Sequence, residues 1–599
     1  MSTINNDSGT VIFDNFSQMS TAMKGENTTN GWDVVCSYDL TKLNELLSEK
    51  YKQGKLVADI PGVVIWDWVL DFGGLNMTTY DFKLSEPVLN FNLDGRATLN
   101  MPISKISSTN QGVVVSKVGA VDTPAKYKSE TWYSVSNGEY TELTDQSKIA
   151  IGDCAMYEND WYKITSIKSP EPGPSVTGTH SLVGSIPISA ILGDNQIYNK
   201  GTIVVFKESA PTSQAHIVLH FSNKASNPAT FAISPKLDSN FNKEAQLLNS
   251  ITNFFSNSVN DIDYALNSIA PTPSPTGETM ITPKSFVFNT VTTGNNTGVL
   301  STYIATTQNK GVGQTNPSFT VAGKRSSPIP KGNTASMIFS QSFIQNIFLT
   351  SQLQKSLTDC SVTFTNLDSG IQANIHASNI NIAINIPKTE TGSQSFPGSG
   401  SCSSYSTSYL KVNNDVLSSN DYPITMILTG DQISLEWSIQ QAGFNYETGS
   451  DMTTICPFYS HTSDINWSTD SGHKVTIDIK SNPNSPSKII LDSSDNIDIN
   501  PKLSFEESTY SATVSPKPAH KDCWDKFWTG DAANEIHQAL QAALGNFAPK
   551  ISLSFAGINY FATTNILFPG GNIFDVDVNS GLQVPRDMVL LGNIDKSAN

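Results

Sequence analysis

Apolar and polar side chains alternate with a period of two over many short segments of this chain, and each segment is broken off by Gly, Pro, Asn or Ser. Successive side chains of a strand point to opposite faces, so the alternation predicts half-buried antiparallel strands. In 215–221, Ile217, Leu219 and Phe221 fall on one face and His216, Val218 and His220 on the other. Ile380, Ile382, Ile384 and Ile386 repeat the pattern, as does 474–479. Strands with one apolar face dominate the expected fold.

Four segments carry helical spacing instead. The first, about 40–51, sets Leu40, Leu43, Leu47 and Tyr51 on one stripe behind Asp39, a residue suited to cap a helix N-terminus. The second is the strongest: from Lys243 to Ile269, Leu247, Leu248, Ile251, Phe254, Phe255, Val259, Ile262, Leu266 and Ile269 recur mostly at steps of three and four. One helix over those roughly 27 positions would extend about 40 Å. The third covers 341–357 with Phe343, Ile344, Ile347, Phe348, Leu353 and Leu357, and the fourth about 522–547, interrupted near Gly530. A few long amphipathic helices among many strands predict a mainly β, α+β architecture. Sheets wrap the helices, and a parallel α/β sheet is not expected.

At 599 residues the chain has the length of about four average domains or two large β-rich ones. Residues 1–30 read as a polar N-terminal tail. The Pro-rich stretch 271–275 opens a linker, 271–281, between a first half, 31–270, and a second, 282–599, each with two helical segments. The composition changes over 111–174, where Tyr127, Trp132, Tyr133, Tyr140, Tyr157, Trp161 and Tyr162 crowd ahead of Pro170, Pro172 and Pro174. This reads as a small inserted β module. Its rings are either the module's core or a platform for sugars or a partner's surface; large aromatics are mostly buried, which favours the core. On the platform reading, Trp132, Tyr140 and Trp161 would make the contacts.

Only 15% of the residues are charged, so neutral polar groups must cover the surface, while 38% hydrophobic residues suffice for globular folding. A net charge of -17 opposes binding to phosphate backbones or anionic membrane surfaces, and no nucleic acid partner is expected. The most apolar stretch, 63–72, is interrupted by Asp67 and Asp71 and falls short of the ~20 residues that cross a bilayer. No transmembrane segment is expected. The first thirty residues hold one lysine, Lys24, and no long apolar run, so no secretory signal peptide is recognised. The expectation is a soluble, cytoplasmic protein released, if at all, by lysis or a non-classical route.

The six cysteines contain no C-x-x-C pair, which argues against zinc and redox spacings and against a disulfide scaffold; most are expected to be small buried hydrophobes. His216 and His220 have the spacing that chelates zinc on a helix, but on a strand they would stand ~13 Å apart, too far to share an ion. Asp492, Asp495 and Asp498 lack the Gly and terminal Glu of an EF-hand loop and read as a solvated acidic turn. No G-x-S-x-G elbow, P-loop or dinucleotide fingerprint occurs, and Ser399 and Ser401 sit in a Gly/Ser-rich loop. The chain is expected to be no enzyme and to carry no metal or cofactor.

Three stretches resemble the OrfX and forty-seven-kilodalton proteins encoded beside neurotoxin genes in clostridial clusters. They are Gly31-Trp-Asp-Val-Val with the helix of 40–47; Pro283-Lys-Ser-Phe-Val-Phe288 with Pro328-Ile-Pro330 and 335–339; and 561–569 with Pro585-Arg-Asp-Met-Val-Leu-Leu-Gly592. They follow the family's order along the whole chain. The resemblance implies a fold like the tubular lipid-binding (TULIP) proteins, in which a long helix lies in a strongly curved antiparallel sheet with apolar ligands between them. It implies a non-catalytic accessory role beside other toxin-cluster proteins, and it transfers no catalytic residues. The residues that would line such a groove are Leu43, Leu47, Leu248, Ile251, Phe255, Ile262, Phe343 and Ile347, whose stripes either border a cavity or fill it completely. An acyl chain of ~16 carbons buried there would contribute about 13 kcal/mol before ordering costs. The 111–174 module has no counterpart in the resemblance. A structural or adhesive role through it, toward toxin partners or host glycans, is the alternative to lipid binding.

Overall fold

In a computed structural model the chain is mainly strand, described for most of residues 9–187, 283–480 and 582–595 and for shorter stretches elsewhere. Several of the motif segments, far apart in sequence, meet in one antiparallel sheet, while 561–569 lies outside the described residues. Its order is Pro283–Gly294, Thr297–Thr306, Val34–Asp39, Ala335–Phe339, Met588–Asp595 and Ile573–Val576. Val34 stands opposite Ile304 on one side and Phe339 on the other, and Phe339 stands opposite Met588. A strand of the expected first half thus sits between strands of the second. The sheet spans the expected boundary at 271–281, which itself lies outside the described residues.

This sheet is covered on both faces, which is why its strands are nearly continuous apolar runs. The period of two still sorts them. Val34, Cys36 and Tyr38 face the main core with Leu300, Ile304, Met337, Phe339 and Leu590. Val35 faces the opposite way with Tyr303, Ala305, Ile338, Val589 and Leu591. Burying one such side chain is worth about 1.5–3 kcal/mol, so the second face demands a cover.

Residues from the stretch expected to be a polar tail provide it. Val11, Phe13, Met19 and Met23 are buried against that face together with Trp32. A short helix, Phe16–Ala22, places the two methionines one turn apart, and Asn15 caps it by accepting from the Gln18 N–H at 3.0 Å. Four apolar residues scattered among polar ones gave no periodic signal; the exposed face of a sheet assembled elsewhere gives them their role.

A second sheet is organised by one 25-residue strand, Arg96–Ala120. On one side it pairs with Val88–Phe91 and then Gly74–Leu84; on the other it pairs with His180–Pro187 and then Asp160–Ile167. Changing partners along its length, with register shifts at Lys83/Leu84 and Ile164/Ser166, curls the sheet. The expected module grows from this strand as Thr131–Ser136, Glu139–Glu142, Cys154–Tyr157 and Asp160–Ile167.

A third sheet contains the long strands Asn381–Pro397, Ser403–Ser418 and Gln432–Cys456 with the shorter Ser361–Asn366, Ile371–His376 and Ile424–Thr429. At its inner end one face is apolar and buried: Ile371, Ile375, Ile382, Leu410, Met426, Leu435 and Trp437 join the main core.

The helices fare differently. The first is Leu40–Lys52, capped by Asp39, which accepts from the Thr41 N–H at 2.7 Å. The second stops early. It is Glu244–Asn257, and Ile262–Ile269, expected to continue it, is a strand paired with Ala215–Phe221. The sequence Ile262-Asp-Tyr-Ala-Leu-Asn-Ser-Ile269 fits both periods, because Ile262, Tyr264 and Leu266 also alternate. The neighbouring strand, with an edge to be paired, decides between them. The third helix runs over 341–356 and contains a π-helical stretch, Ile344–Leu349. The fourth segment lies almost wholly outside the described residues, as do Asp492, Asp495 and Asp498.

Cys36 and Cys154 are buried and Cys360 is half-buried, as small hydrophobes would be. Cys402 and Cys456, by contrast, form a disulfide across 54 residues of sequence. The strands they adjoin are neighbours, with Ser403 opposite Ile455, a proximity that sequence spacing does not reveal. Both cysteines sit at the far end of the long sheet, away from the core. Reduction is therefore expected to loosen this end alone: amide exchange over 403–408 and 452–456 should rise about tenfold or more while 34–38 stays protected, a pattern hydrogen exchange reads directly.

Candidate ligand site

The helical stripes expected to border a groove converge on one continuous core. From the first helix Leu40, Leu43 and Leu47 enter it; from the second, Leu247 and Ile251; from the third, Phe343, Ile344, Phe348, Leu349 and Leu353. They meet the strand residues Ile60, Val63 and Ile65 and the inner faces of the sheets. Leu43, Leu47, Ile251 and Phe343 are each no more than 2% exposed, so this part of the space is filled by side chains. Leu248 and Ile347 are half-buried and pack at the margin of the same core. Phe255 lies on the second helix with its side chain outside the description, and Ile262 lies on the strand that replaces the helix.

Polar anchors hold the first helix in place. Asn44 donates its Nδ2 to the Leu89 carbonyl at 3.0 Å and accepts the Leu89 N–H at 2.7 Å, and the Tyr51 hydroxyl donates to the Leu84 carbonyl at 2.7 Å. The third helix begins at Ser340, whose hydroxyl accepts from the Phe343 N–H at 3.1 Å. Asp587 reinforces that terminus by accepting from the Gln341 N–H at 3.0 Å, and its other oxygen accepts from the Thr28 N–H at 3.0 Å and hydroxyl at 2.8 Å. Burial pushes the Asp587 carboxyl above its ordinary range; these hydrogen bonds and nearby Arg586 oppose the shift. Three glutamines, Gln341, Gln345 and Gln352, are buried along the helix. Gln341 donates to the Gly370 carbonyl at 3.1 Å and Gln345 to Asn366 at 2.9 Å.

In the π-helical stretch the Thr350 N–H bonds back to the Gln345 carbonyl, and the Thr350 hydroxyl donates to the same oxygen at 2.9 Å. Such a stretch shifts the register of the helix, and the half-buried Ile347 stands within it.

The aromatic module turns its rings inward. Trp132 is fully buried, Trp161 nearly so and Tyr140 half-buried. Tyr140 stacks on Trp161 at 4.2 Å between centroids, with Tyr127 and Tyr133 edge-on to Trp161. On the opposite face Trp132 packs between Trp66 and Trp68 at 4.9 and 5.7 Å, so the module is fastened to the curled sheet through indole rings. The rings therefore form a core and no exposed row.

A separate cavity of 280 Å³ opens beside the helix Phe16–Ala22, and Ser17, Ser20, Lys24 and Thr429 give it a largely polar lining. Among the described residues no group of three His, Cys, Asp or Glu side chains is placed to hold a metal ion, and no helix is long and apolar enough to cross a membrane.

No protein-family model and no curated protein matches the chain. Among solved structures it is similar to P47 from Clostridium botulinum A2, at 12% identity and a TM-score of 0.40, over 94% of this chain and 98% of that one. It is similar also to P47 of Clostridium botulinum E1, at 10% identity and a TM-score of 0.41, over 94% and 100%. These are forty-seven-kilodalton proteins of the kind its motifs resemble. A lipopolysaccharide binding protein is similar at 10% identity and a TM-score of 0.20, over 95% and 100%.

Proposed function

We propose that this chain is a non-catalytic protein that binds a lipid or another apolar ligand at the margin of its helix-lined core, with helices held in curved sheets in the TULIP manner. The observation that carries the reading is Ile347. It lies half-buried on a π-helical stretch whose neighbours Ile344, Phe348 and Leu349 are sealed in the core. π-Helical irregularities often coincide with functional sites because they re-aim side chains at a cost in helix regularity. Leu248 offers a second half-buried apolar contact beside the same core. The motifs shared with proteins of neurotoxin gene clusters support an accessory role there, alongside other proteins of the cluster.

Native mass spectrometry of the gently purified chain, before and after lipid challenge, tests the reading. A bound apolar molecule is expected. Ile347→Trp combined with Leu248→Trp should reduce its occupancy about tenfold or more, since bulk added at a margin displaces ligand before it disturbs packing. A native chain that carries and takes up no apolar molecule would remove this function. Undiminished binding by the double variant would remove the site.

A further inference from the structure

The far end of the long sheet gathers exposed apolar and aromatic side chains at one place. Strand Gln432–Cys456 returns as Tyr459–Thr462 through a two-residue turn, Pro457 and Phe458. At the apex Phe458 is 97% exposed, and Tyr459 beside it is 64% exposed. Met452, Ile455 and Tyr405 are each between 41% and 48% exposed.

The registers divide these residues between the two faces of the sheet. Tyr405 stands opposite Thr453 and shares its face with Ile455, while Tyr459 stands opposite Cys456 and shares the other face with Met452. A partner surface lying on one face would leave the other wet. An environment that surrounds the end on all sides would cover both. No Asp, Glu, Lys or Arg occurs in 392–408 or 452–463, although the chain as a whole carries -17. Ser and Thr predominate among the remaining positions, with Gly, Pro, Gln394, Phe396 and His461 between them, and the disulfide Cys402–Cys456 ties two of the strands together at this end.

We infer that this disulfide-tied hairpin end is a membrane-docking tip that enters the interface of an electrically neutral, phosphatidylcholine-type bilayer end-on. An uncharged end gains nothing from anionic headgroups, and the acidic remainder is repelled by them. Tyr and Phe suit the interfacial zone, where a ring can sit among headgroups with its hydroxyl still wet. The inference stands apart from the proposed ligand site, which lies at the margin of the core beside Ile347 and Leu248 and involves none of these residues.

Flotation of the oxidised full-length chain with phosphatidylcholine vesicles is the test. The chain should co-float, and should do so equally at about 0.5 M salt, where charge attraction is screened. Phe458→Ser combined with Tyr459→Ser should cut vesicle binding about tenfold or more, with circular dichroism and apolar-ligand occupancy unchanged. In a separate variant, Phe458→Trp, the added indole should be quenched by dibrominated phosphatidylcholine, as a residue entering the interface must be. The inference is overturned if the native chain does not co-float, if the double variant binds vesicles as the native chain does, or if the added indole goes unquenched. It is equally overturned if the double variant loses only self-association in sedimentation velocity, which would make the tip a contact between copies of the chain. Loss of vesicle docking with retained apolar ligand, or the reverse, separates this inference from the proposed function.

Discussion

Replacing Phe343 by Ala is expected to lower the unfolding free energy by about 4 kcal/mol, the range for emptying the place of a fully buried phenylalanine. The ring is 1% exposed and stacks on Phe339 at 5.8 Å, and its neighbours come from a helix and a sheet that are each fixed by other contacts. Neither can collapse into the void, so the cost should sit high in the usual range. Urea unfolding measures it. A loss below about 1.5 kcal/mol would mean that the site relaxes or that its ring already borders open space, contrary to the packing described. The comparison with Ile347→Ala sharpens the point. Truncating a half-buried margin residue should cost about 1 kcal/mol or less while changing ligand occupancy, so stability and binding respond to different residues of one stripe.

Asp587→Ala should be nearly as damaging, at about 3 kcal/mol. Its carboxylate accepts from the Thr28 N–H, the Thr28 hydroxyl and the Gln341 N–H in a buried place. Each donor left unpaired there costs about 1–3 kcal/mol, and relief from burying a charged group returns part of the sum. One residue thereby joins the N-terminal cover, the third helix and the last strand, so its loss should be cooperative.

The pH dependence has a definite sign. Burial raises the folded-state pKa of Asp587 above the ordinary value of 3.8, so the folded chain binds this proton more tightly than the unfolded chain. The stabilisation from that proton is complete below the unfolded value and is lost as pH rises through the raised folded value. The stability gap between the native chain and Asp587→Ala should therefore widen as the solution is acidified toward 3.8, in contrast to the usual salt-bridged carboxylate. Unfolding curves of both proteins across mildly acidic pH give the comparison. A gap that narrows on acidification would show that the hydrogen bonds to the carboxylate outweigh its burial.

Much of the local structure was legible because it depends on near neighbours. The Asp39 cap and the Leu40, Leu43, Leu47 stripe need only a few consecutive residues to specify a helix, and the helix is there. The same holds for the strand Ala215–Phe221 and for the aromatic module, where the preference of large rings for burial agrees with Trp132 and Trp161. Reading failed where two periods fitted one segment. Residues 262–269 satisfied both, and pairing with a distant strand selected the extended form. The Cys402–Cys456 bond and the covering role of Val11, Phe13, Met19 and Met23 were hidden for a related reason. Each involves partners dozens to hundreds of positions away, and no local period encodes them.

For the candidate site, sequence alone fixed which residues are apolar and on which face of each element they fall, since side-chain direction follows from backbone period. It could not say whether opposing stripes touch or stand apart. Only the tertiary arrangement placed Leu43, Ile251 and Phe343 in one packed core and left Ile347 and Leu248 at its edge. That distinction is a matter of distances between elements, set by how sheets curl and which strands they recruit, and close packing turns a difference of one side chain's width into either core or margin.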